Sequence, residues 1–92
     1  MNTPIKLYEV KIRDYSKKDV ERHEIYETTI RKAWKAFKKS NPNIAIGFEL
    51  ENIYPADEKN KESMLFIKYS YAKKQKITLW ITELKVVSGN GR

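Results

Sequence analysis

The sequence contains no cysteine, one histidine and only three glycines, and each scarcity removes a class of function. Without cysteine there is no disulfide, no thiolate zinc site and no thiol nucleophile. With His23 alone, no histidine pair can hold a metal, and a lone histidine in a polar stretch reads as a surface residue. The few glycines form no phosphate-cradling loop, and no serine sits in a glycine elbow. No apolar run approaches the ~20 residues of a membrane span. The first residues, Met1 to Lys6, lack the basic-then-apolar layout of a signal peptide. These absences point to a soluble, cytoplasmic protein with no catalytic residues, no metal and no cofactor. The one enzymatic alternative is a small nuclease using His23 and nearby basic residues.

Acidic residues are in the minority. The 92 residues carry 19 Lys and Arg against 12 Asp and Glu, a net charge of +7. Such an excess favours an acidic partner, nucleic acid first. The distribution is uneven: residues 1–42 are net +5, residues 43–65 net −3 and residues 66–92 net +5. Glu49, Glu51, Asp57, Glu58 and Glu62 crowd the middle and read as a solvated acidic patch.

A chain of this length makes one small domain, here residues 1–92 with 88–92 as a frayed tail. It buries roughly 60–65% of the surface its unfolded chain exposes, so a dimer interface could add to a thin core. Residues 5–13 alternate, with Tyr8, Val10 and Ile12 on one side and Glu9, Lys11 and Arg13 on the other, which predicts a strand. Residues 14–19 suit a turn. Residues 20–28 fit either a returning strand or the front of a long helix over 17–39; the apolar stripe fails at Asp19, Arg22 and His23, which favours the strand.

From Ile30 a helix is expected, because Ile30, Ala33, Trp34 and Phe37 form one apolar stripe. Thr28-Thr29 can cap it and Asn41-Pro42-Asn43 ends it. Residues 44–54 alternate and predict a strand, with Ile44, Ile46, Phe48 and Leu50 facing one way. Residues 55–63 read as a mobile charged loop. Two further strands, 64–72 and 76–87, are joined as a hairpin, and the last is apolar on both parities, as in a strand that is central or covered on both faces, or that uses its second face in an interface. The fold class is therefore α+β: a single antiparallel sheet, β-β-α-β-β-β, with one amphipathic helix packed on one face.

Two groups of residues suggest a binding surface. Arg31, Lys32, Lys35, Lys38 and Lys39 line the polar side of the helix with no acid among residues 30–39. Solubilising faces mix signs, so this one suits a phosphate backbone. Trp34 and Phe37 of the same helix are assigned to the core. The second group is Lys68, Tyr69, Tyr71, Lys73, Lys74 and Lys76, where tyrosines on one strand face could stack bases beside basic charge. The expected function is a small, basic, non-enzymatic nucleic-acid-binding protein, for DNA or RNA. The alternative is an accessory or inhibitor protein of phage or plasmid type, docking a protein partner through the open sheet face as a homodimer.

Overall fold

The computed structural model describes residues 3–14, 20–72 and 74–88. In it the first alternating segment becomes β1 (Ile5–Asp14). Tyr8, Val10 and Ile12 are buried, while Glu9, Lys11 and Arg13 point to the other face. The chain returns as β2 (Glu21–Glu27), antiparallel to β1. The strand reading of residues 20–28 is thus the right one. Alternate positions Ile25 and His23 face the core side, and the His23 ring meets Phe37 edge-on at 5.1 Å. Residues 15–19, most of the segment expected to turn, lie outside the described residues.

Helix α1 (Ile30–Ser40) begins where expected, because the Thr29 hydroxyl accepts a hydrogen bond from the Lys32 amide at 3.1 Å. It buries Ile30, Ala33 and Phe37 against Val10, Ile81 and Phe66 of the sheet. Trp34, expected in the core, is only half-buried: one ring face stacks on Phe66 at 4.1 Å and the rest stays at the helix rim.

The expected strand over residues 44–54 is corrected. Pro42 does end α1, but it also opens a short second helix, α2 (Pro42–Ala45). Proline is preorganised for the first helical position, where its missing N–H is not needed. Gly47 then turns the chain at φ 87°, a left-handed conformation that costs glycine little. Only Glu49–Tyr54 is extended, as β3. A bulge at Glu51 interrupts the register between β3 and β4.

β4 (Ser63–Ser70) and β5 (Gln75–Ser88) complete a five-stranded antiparallel sheet in the order β2-β1-β5-β4-β3. β5 is central in the sheet, and its second apolar parity stays uncovered at Leu84 and Val86, which are exposed. The element order is β-β-α-α-β-β-β, an α+β fold. Residues 55–62 have a local anchor the sequence did not suggest. The Asp57 carboxylate accepts from the amides of Lys59 and Asn60 at 2.8 and 2.7 Å, and these bonds lower its pKa. No helix among the described residues is long and apolar enough to cross a membrane.

One end of the core holds a buried carboxylate. Glu83 sits opposite Tyr8 and pairs with Lys6 at 3.3 Å and Lys61 at 3.9 Å. Burial, and then the Glu83 charge, push the Tyr8 hydroxyl up from 10.0 to about 12. The folded state therefore holds this proton more tightly than the unfolded chain. The stabilisation is complete below pH 10 and is lost as pH rises towards 12. We expect the wild type to lose roughly 2–3 kcal/mol more than Tyr8→Phe over that window in urea titrations. Parallel pH curves for the two proteins would refute this.

Candidate nucleic-acid interface

The cations of α1 form a coherent face. Arg31, Lys35 and Lys38 recur at helical spacing with Lys32 and Lys39 beside them, and all five are exposed. None of the five is in an ion pair with a described residue. Lys38 lies over the Trp34 ring at 5.4 Å. Arg31, Lys32, Lys35 and Lys38 surround the exposed edge of Trp34 in a shallow depression of about 230 Å³.

The helix is charged against its own dipole at one end. Lys38 and Lys39 complement the C-terminal turn, but the first turn contains no acid and holds Arg31 and Lys32. Cations there cost about 0.3–1 kcal/mol each, because they meet the positive end of the peptide dipoles. Eleven residues give a rod about 16 Å long, enough to follow several phosphates of one strand.

The hairpin group does not join this face. Lys68 shares the α1 side of the sheet with Met64 and Phe66, but it is occupied there. Its ammonium donates to the Ile46 carbonyl at 3.3 Å and lies 4.7 Å from the Phe48 ring, and its stem covers Gly47. Tyr69 pairs with Lys76 on the face of the sheet away from α1. Tyr71 is not on the strand at all: β4 ends at Ser70, and the Tyr71 ring folds against Tyr69 at 4.8 Å. Lys74 occupies the turn at φ 55°, and Lys73 lies outside the described residues. The two tyrosines are therefore an exposed aromatic pair at the hairpin tip, set apart from the helix cations by the sheet.

The open face carries further residues that the sequence did not assign to a nucleic-acid site. One row crosses the sheet from Arg22 through Lys11 and Trp80 to Leu65. Arg13 lies two residues along β1, and the Tyr54 ring of β3 stacks on Trp80 at 5.6 Å. The parity of Lys11 and Arg13 was readable in the sequence. Their meeting with Trp80 and Arg22 was not, because it depends on strand order and register. Among the described residues no group of three or more His, Asp or Glu is placed to hold a metal.

No protein-family model, no curated protein and no solved structure matches this chain. The functional reading therefore rests on the surfaces described above.

Proposed function

We propose that this protein binds nucleic acid, holding the phosphate backbone on the outer face of α1. The observation that carries the reading is the set Arg31, Lys32, Lys35, Lys38 and Lys39: five exposed cations on one short helix, none in an ion pair with a described residue. A face built only for solubility mixes signs at i,i+4 spacing, which stabilises a helix. This one forgoes that and places two cations against the dipole. The test is fluorescence anisotropy with labelled DNA and RNA at 50 and 200 mM salt. Neutralising about four phosphates makes affinity fall roughly 50- to 150-fold over that range. Absence of binding at the lower salt would sink the reading.

A second reading, self-association, is favoured by the far end of β5. Residues 84–88 pair with β1 but extend past the end of β4, which leaves one strand edge free. Leu84, Val86 and Val87 are exposed there, near Ile5 of β1. A free edge with apolar side chains is a template for a second strand. Sedimentation should then show a dimer that Val86→Lys converts to monomer; a monomeric wild type at 100 μM, roughly the top of the range for weak dimers, would exclude it.

A further inference from the structure

We infer that the open face of the sheet is a second binding surface, shaped for single-stranded nucleic acid, with Trp80 as its stacking platform. The ligand class rests on the nucleic-acid reading above, but the surface lies on the opposite side of the sheet from α1 and uses none of its residues.

The argument begins with shape. Two depressions flank Trp80. One, of about 370 Å³, lies between Trp80 and a charged wall of Lys11, Arg13 and Arg22 with Glu9 among them. The other, of about 520 Å³, lies between Trp80 and Tyr54 and is lined by Ser63 and Thr82, with Asp57, Asn60 and Lys61 at its edge. Trp80 and Thr82 line both, so the two form one track across the sheet. Each is within the size range of small-molecule sites and wide enough for a flat heterocycle.

Charge then limits the occupant. Lys11 stands directly opposite Arg22 across β1 and β2. Like charges opposite each other on a sheet are unfavourable. Arg22 turns to Glu9 at 3.6 Å, while Lys11 has no ion pair with a described residue. Lys11 thus holds a positive charge, in no ion pair with a described residue, beside the indole of Trp80. An apolar peptide gains nothing from that charge, and a duplex hides its base faces from the ring. A single strand presents both a phosphate for Lys11 and an unstacked base for Trp80. Polar Thr78, Thr82 and Asn60 supply donors and acceptors at the base edges.

The chain has two tryptophans, so Trp34→Phe leaves Trp80 as the sole reporter. Titrating this protein with an oligothymidylate at 50 mM salt should quench Trp80 emission to saturation. Adding Lys35→Glu and Lys38→Glu should leave that quenching in place, whereas Lys11→Glu should weaken it about tenfold. By anisotropy, Trp80→Ala should lower single-strand affinity about 5- to 150-fold and leave duplex binding by α1 unchanged. Circular dichroism checks that each variant is folded. The inference is overturned if Trp80 does not respond, if Lys11→Glu leaves the affinity of that response unchanged, or if thymidine monophosphate binds as tightly as the oligomer. Loss of quenching in the helix double variant would also overturn it. Loss of duplex binding in that variant alone bears on the helix and leaves the sheet face standing.

Discussion

Replacing Phe37 by alanine should destabilise the domain by about 3–5 kcal/mol. Phe37 is fully buried, at 0% exposure, in the core cluster between helix and sheet. His23 meets its ring edge-on from β2 and Trp34 lies beside it on α1. A domain of this size has only about 5–14 kcal/mol of total stability, so the substitution removes a large share of it. Urea unfolding should show a lower midpoint with an unchanged slope, the sign that stability rather than compactness changed. Trp34→Ala is the informative comparison. Its ring is half-buried on Phe66, so the loss should be about half as large. Equal losses would mean that Trp34 belongs to the core as fully as Phe37 and leaves little ring for a ligand.

The second large effect is on binding. Changing Lys35 and Lys38 together to glutamate should remove two phosphate contacts and add two repulsions. The salt dependence should shrink from roughly 50- to 150-fold to about tenfold or less between 50 and 200 mM. Duplex binding should weaken by a similar factor for every sequence tested, because phosphate contacts carry no base information. Both side chains are exposed and in no ion pair with a described residue, so the fold loses little. The expected cost is under about 1 kcal/mol, mostly from placing Glu near the negative end of the helix dipole. Lys35→Gln with Lys38→Gln separates charge loss from charge reversal and should weaken binding by less. If affinity and salt slope are unchanged in both double variants, the α1 face is not the site.

These predictions depend on different kinds of information. Local patterns settled the elements whose partners lie close in the chain. The stripe of Ile30, Ala33, Trp34 and Phe37 is enough to define a helix, and Thr29 marks its start because its hydroxyl can reach the Lys32 amide within one turn. The alternation of Tyr8, Val10 and Ile12 likewise defines which face of β1 is buried. Residues 44–54 show where periodicity misleads. Their apolar alternation is real, but Pro42 and Gly47 act on the backbone, and a helical turn followed by a left-handed residue overrode the pattern. Tyr71 shows the same limit: equal parity puts two residues on one face only while the strand continues, and β4 stops at Ser70.

By itself, then, the sequence determined the α+β class, the charge of the helix, and a last strand apolar on both parities. Each is a property of a single segment, governed by backbone geometry and burial within a few residues. The tertiary structure alone decided which surfaces exist. It set Lys68 under α2 and its loop while Tyr69 went to the opposite face, and it left Trp34 at the helix rim. It also aligned Arg22, Lys11 and Trp80 in one row from three strands. Such a row follows from strand order and register, where a shift of one residue sends every side chain to the other face. That choice is made by the whole core at once, when Val10, Ile81 and Phe66 bury against Ala33 and Phe37.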